Sequence, residues 1–207
     1  MWTVSPRRAA LALTAGAALL VTAGCTGSAE GNAEASVQGP LCDALPSGTE
    51  PGNPTALATE PVDSALSWIT VLTTFEGAMR ASDLLPELKG KPGITVLAPS
   101  DDAFAAKFSG ENLDQMMIKD KDTLRTLLRA HVVDRSLSLR DLLDAGSVTT
   151  LDGRTVQVTA ADSMARIGTE ARTVCADYRI ANGRIHVINH VLGNLRTTVG
   201  EGADPGH

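Results

Sequence analysis

The sequence predicts an α+β domain built on a largely antiparallel sheet. Three observations carry that reading. Apolar residues recur every three or four positions through the first part of the body, over Leu66 to Leu128. Past Val132 the period becomes two, and two hairpin signals close the chain. Helices come first and hairpins last, with no strand–helix–strand alternation of the kind a parallel sheet needs. No internal repeat interrupts this order, so one domain is the count. The composition agrees: of 207 residues 43% are apolar and 20% charged, enough to bury a single core.

The elements follow in order along the body. Leu66, Ile69, Leu72, Phe75 and Met79 mark one amphipathic helix entered at Pro61. Ile94-Thr95-Val96-Leu97-Ala98 reads as a buried strand stopped by Pro99. Ser100 is the N-cap of a short helix, with Asp101 and Asp102 in its first turn, where the helix dipole favours negative charge. Phe104 and Phe108, four apart, place both rings on the core side of that helix. Leu113, Met116 and Met117, then Leu124, Leu127 and Leu128, give two more helical stripes. Val148–Leu151, the turn Asp152-Gly153 and Thr155–Thr159 form the first hairpin. Thr173–Ile180, the turn Asn182-Gly183 and Arg184–Leu192 form the second.

Ahead of this body lies an address. Arg7 and Arg8 precede an almost unbroken small and apolar run, Ala9 to Gly24. At ~1.5 Å per residue the run reaches ~24 Å, short of the ~30 Å of a hydrocarbon core. Residues 1–24 therefore read as a secretory signal peptide. The end of this segment, Val21-Thr22-Ala23-Gly24-Cys25, resembles a bacterial lipobox, which makes Cys25 the lipid-attachment residue; ordinary cleavage that leaves a spare thiol is the alternative. Arg7-Arg8 leaves Sec and twin-arginine export both open. Residues 25–60 are a tether and a Pro/Gly-rich lead-in, residues 61–198 the folded domain and 199–207 a tail. Thr26 to Pro40 is flexible by composition, with an end-to-end distance of about 20 Å.

With Cys25 acylated, Cys42 and Cys175 remain as an even pair in an oxidising compartment, which reads as one disulfide; two buried free thiols are the alternative. No metal site is expected. Cys42 and Cys175 have no neighbouring ligand in sequence, and His186 and His190 lie on a strand-like segment where four residues separate them by ~13 Å. His131 sits between a Leu-rich helix and a Val-rich strand, where a neutral imidazole can bond a backbone carbonyl or a nearby carboxylate; it is read, like His186, as structural. No nucleophile, metalloprotease, phosphate-loop or dinucleotide motif is present, so neither an enzyme nor a cofactor is expected. The charge, 18 Lys+Arg against 24 Asp+Glu for a net −6, argues against nucleic acid as the partner.

Three stretches of this chain resemble the signatures of fasciclin-like domains. Ile94–Phe104, a strand ending in Ala98-Pro99-Ser100 before a short helix with Ala103-Phe104, is similar to the first. Leu127-Leu128-Arg129-Ala130-His131-Val132-Val133 is similar to the middle "Tyr-His" signature, with Ala130 in place of the Tyr. Ala176 to Asn189, with Asn182-Gly183-Arg184-Ile185-His186, is similar to the last. The resemblance covers Pro61 to about Arg196. The cysteine placement resembles that of secreted and lipid-anchored mycobacterial fasciclin antigens.

The resemblance implies a wedge: a seven-stranded, mostly antiparallel β-sandwich with several packed helices. It also implies a cell-surface lipoprotein on the outer face of the membrane, mediating adhesion or protein contact. Its partners would be extracellular matrix or cell-surface macromolecules, with its own membrane held through the lipid anchor. An Asp-Ile pair linked to integrin contact in animal members matches here at Asp177, but Tyr178 replaces the Ile. Contact with a partner is expected near Asp177, Tyr178 and Arg179, with Asp177 and Arg179 on one face of an alternating strand and Tyr178 on the other; the alternative is that Tyr178 packs in the core while Asp177 and Arg179 are solvated. The alternative function is an envelope lipoprotein holding a small molecule or lipid in an apolar cavity.

Overall fold

A computed structural model describes residues 36–193 and 195. Cys25, the signal peptide, most of the tether and the tail lie outside the described residues.

The helices are α1 (Pro54–Leu57), α2 (Val62–Trp68), α3 (Thr73–Ala81), α4 (Leu85–Lys89), α5 (Asp101–Lys107), α6 (Gly110–Lys119), α7 (Lys121–Arg129) and α8 (Leu139–Ala145). The strands are β1 (Ile94–Pro99), β2 (Val132–Val133), β3 (Ser147–Thr149), β4 (Thr155–Ala161), β5 (Met164–Ile167), β6 (Ala171–Ile180) and β7 (Gly183–Ile188). All seven strands join in the order β2-β1-β7-β6-β5-β4-β3. Only β1 and β7 run parallel; the other pairings are antiparallel. The two ends of this order meet: Val133 bridges Thr150, and Leu151 N donates to Val132 O at 2.7 Å. The sheet therefore closes back on itself.

That closure makes two cores. One lies between the helices and the sheet, around Leu66, Phe75, Phe104, Leu128, Ile185 and Tyr178. The other fills the fold of the sheet under α8, around Leu97, Leu142, Val158, Ile167 and Ile188. β6 and β7 are central strands that contribute side chains to both.

Several local readings meet the structure directly. Ser100 Oγ accepts from Ala103 N at 3.2 Å as the cap of α5. Phe104 and Phe108 are both buried, with ring centroids 6.2 Å apart. The first hairpin turns around Asp152-Gly153 as expected, whereas the second turns at Ala181-Asn182, with Gly183 already in β7.

Others are corrected. The helix expected to run on from Pro61 is broken: α2 ends at Trp68, Ile69 turns extended, and Thr70–Leu72 is a 3-10 turn before α3. The break falls in a β-branched stretch, Ile69-Thr70-Val71, which gains little from helix. It is held open by Asp101, whose carboxylate accepts from Thr74 N at 2.7 Å and Thr73 Oγ1 at 2.8 Å. Asp101 thus caps α3 as well as opening its own helix. The tether read through Pro40 ends at Gln38, which already pairs with Ala176 of β6. Packing also begins before Pro61, since Leu45 and Leu57 are core residues.

Beyond Val132 the chain is not all strand: α8 forms between Ser138 and Gly146. Ser138 and Asp141 make a reciprocal capping box, and Gly146 ends the helix at φ +63°.

Candidate functional site

The segment expected to meet a partner lies on β6 beside β7. β6 is irregular here, with register shifts against β7 between Thr173 and Tyr178, and Asp177 adopts a left-handed φ of +72°. The kink is saturated with bonds. Asp177 N donates to His186 Nδ1 at 3.2 Å. The Asp177 carboxylate accepts from Leu139 N at 3.0 Å, Gln38 Nε2 at 3.1 Å and Arg184 Nη1 at 3.4 Å. It ties together the start of α8, the lead-in and β7. Asp177 is therefore half-buried and structural rather than an outward-facing charge.

Tyr178 corrects the expected contact trio more sharply. It is 1% exposed, among the largest fully buried side chains, and packs in the core between helices and sheet. At this end of β6 the face shared by Tyr178 and Ile180 is buried and the face carrying Arg179 is open, and alternation by itself does not say which face packs. Burial pushes its hydroxyl up to about 12. That hydroxyl is buried without a hydrogen-bond partner among the described residues. Arg179 alone of the three is exposed, and its side chain makes no hydrogen bond or ion pair among the described residues. It stands opposite Arg184 in register, and Arg184 is the one paired with Asp177.

The two signature histidines are wholly buried and hold backbone. His131 Nδ1 meets Leu127 O at 2.9 Å, so that nitrogen donates; Nε2 accepts from Leu192 N at 2.8 Å. His186 Nε2 donates to Leu137 O at 2.9 Å while Nδ1 accepts from Asp177 N. Each ring is thus assigned one neutral tautomer by its partners. Burial lowers His131 to about 4 and lowers His186 as well. The partner of His131, Leu192, belongs to the segment after β7, a link across 61 positions that no local pattern displays. His190 lies beyond the end of β7 on the surface, bonded to Asn189, while His186 is in the interior. Among the described residues no three His, Cys, Asp or Glu side chains converge on a metal position.

Cys42 and Cys175 form a disulfide with Cα atoms 5.1 Å apart. Among the described residues no helix is long and apolar enough to cross a membrane.

Two hollows bear on ligand binding. An apolar one lined by Phe108, Met116, Thr123 and Leu195 holds about 110 Å³, below the ~300–1,000 Å³ of ligand pockets. A larger one of about 810 Å³ is an open trough with a mixed lining that includes Lys107, Arg154, Gln157 and Leu192. Neither is the enclosed apolar cavity that the lipid-binding alternative requires.

Comparison with known proteins adds the family. The Fasciclin domain matches residues 70–194. The Synechocystis protein sll1483 is 31% identical over 136 residues, covering 63% of this chain and 74% of its own length. The pig transforming growth factor-beta-induced protein ig-h3 is 32% identical over 119 residues, covering 58% of this chain and 17% of its own. A solved FAS1 domain pair from the insect cell adhesion molecule Fasciclin I is 23% identical, covering 58% of this chain and 44% of that one, with a TM-score of 0.47. The matched span contains all three signatures together with the buried histidines, the parallel β1–β7 pair and the closed sheet that they build. This chain belongs to the fasciclin-domain family.

Proposed function

We propose that this protein is a surface-displayed contact module, anchored to the outer face of its membrane through a lipid on Cys25, that binds matrix or cell-surface macromolecules. One observation carries the reading. The polar side chains of the signatures are used up in holding the fold, His131 and His186 on backbone in the interior and the half-buried Asp177 on Leu139, Gln38 and Arg184, while the Arg179 side chain is left outward and unpaired among the described residues. Buried neutral imidazoles with both nitrogens engaged are poorly placed for acid–base work. Membership of the fasciclin family supports contact rather than catalysis. The leader ending at Gly24-Cys25 supports the anchor.

The contact face is centred on Arg179, with Arg184 beside it. Asp177 is excluded from the test because its carboxylate holds three elements. An Arg179→Glu variant should melt like the wild type and bind matrix preparations or isolated cell envelopes several-fold more weakly. Equal binding by a correctly folded Arg179→Glu would remove this face from consideration. Separately, Cys25→Ser should move the protein from the membrane fraction to the medium, and retention in the membrane would refute the anchor.

A further inference from the structure

The lead-in is attached to the body in an unusual sequence of contacts. Gln38 N donates to Ala176 O at 3.1 Å, Ala176 N donates back to Gln38 O at 2.8 Å, and Leu41 N donates to Val174 O at 2.9 Å. Gly39 lies so close to β6 that a Cβ there would sit 2.4 Å from Val174 O, at a φ of +135°. The next residue but two, Cys42, is bonded to Cys175 of the same strand. On its other side the segment reaches the contact face, through Gln38 Nε2 on Asp177 Oδ2. Residues 36–41 are thus a short strap lying on β6, locked covalently at one end and continuous with the tether at the other.

Any pull arriving from the tether meets this strap first. Its bonds at Gln38 and Leu41 are loaded in turn from the free end, and behind them stands the disulfide. Once the load reaches Cys42, the covalent path crosses to Cys175 and runs four residues along β6 to Arg179. It bypasses the separation of 133 positions that holds most of both cores.

We propose that residues 36–41 are a tension-released strap. Load through the tether strips them from β6, frees the Asp177 carboxylate from Gln38 beside the contact face, and then passes through Cys42–Cys175 into β6 with the cores unloaded. The proposal rests on the anchor and contact face of the preceding section. It is tested without either, because force is applied to the chain directly.

The lipid-free chain (Cys25→Ser) is stretched in single-molecule tweezers between its N-terminus and a chemical handle at position 179. The expected trace shows one early, low-force extension of about 30 Å, as the strap folded back on β6 straightens into a line through Cys42–Cys175 to position 179. No further step follows until a dithiol reductant is added; the load then falls on the cores, and about 450 Å more is released as they unfold under it. Gln38→Ala should lower the force of the early step and leave the later release unchanged. Release of about 450 Å without reductant would show that the disulfide does not carry the load. A trace with no early step would show that the strap does not let go. Either result overturns the proposal, whereas a Cys25→Ser protein that stays in the membrane overturns only the anchor.

Discussion

His131 shows how one side chain can link distant parts of the fold and make their stability depend on pH. Its Nδ1–H is given to Leu127 O and its Nε2 lone pair is used by Leu192 N, so a second proton removes an acceptor and buries a charge. The folded value near 4 lies below the ordinary 6.5 of an unfolded chain. The unfolded state therefore binds more protons between these values. The stabilisation is complete above pH 6.5, declines as pH falls, and is gone below about 4, a loss of roughly 3 kcal/mol. His186, also lowered, acts in the same direction. Urea unfolding at pH 7 and 4.5 should show this loss, and His131→Gln, though less stable at pH 7, should lose less between them. Parallel pH profiles for the two proteins would contradict the assignment. Tyr178 gives the opposite kind of test. Its buried hydroxyl lacks a partner, so Tyr178→Phe should raise stability by about 1 kcal/mol, measured as a higher urea midpoint.

At the scale of elements, the hairpin turns were read from their chemistry, yet the second needs its glycine for another reason. Ala181-Asn182 turns β6 into β7, and Gly183 is the first residue of β7, paired with Ile180 of β6 and Ile94 of β1. A Cβ at Gly183 would sit 2.0 Å from Ile94 O, with the other nearest atoms also backbone. Backbone in a central strand cannot retreat from such a contact. Gly183→Ala should cost about 3 kcal/mol or more. Gly153, in the first hairpin, has φ +86° and open space around it. Gly153→Ala should cost only about 1 kcal/mol, from the backbone conformation alone. Thermal melts of the two variants side by side test the distinction, and equal losses would refute it. α8 was legible in principle, since Ser138 to Asp141 is a capping box and Gly146 a stop. Seven residues inside a region of period two hid it.

For the whole molecule, the disulfide matters because it joins the first docked segment to the central strand over 133 positions. In the chain-entropy view, closing so long a loop in the unfolded state stabilises the fold by up to ~5 kcal/mol. Unfolding in urea with and without reductant should show a large fall in midpoint, and an unchanged midpoint would mean that the lead-in contributes nothing to global stability. The fold should nonetheless survive reduction at neutral pH in the absence of denaturant, because both cores lie largely between the two cysteines in sequence.

The amino-acid sequence by itself determined the α+β class, the strand through Ile94–Ala98, the cap at Ser100, the helical stripes from Leu113 to Leu128 and both hairpins. Each of these is a local event. Periodicity selects the buried face, and turn chemistry selects where the chain reverses. Tertiary structure decided the rest. Helix α3 starts where it does because a carboxylate from another helix, Asp101, reaches its first amides. The parallel pairing of β1 with β7 joins segments nearly ninety positions apart. Tyr178 is core rather than contact because the face of β6 that it shares with Ile180 packs against the helices, while Arg179 opposite stays open. His131 and His186 find their partners only when the chain after β7 and the loop before α8 arrive beside them. Alternation along one strand cannot report which of its faces will be covered, because that depends on which distant elements pack there.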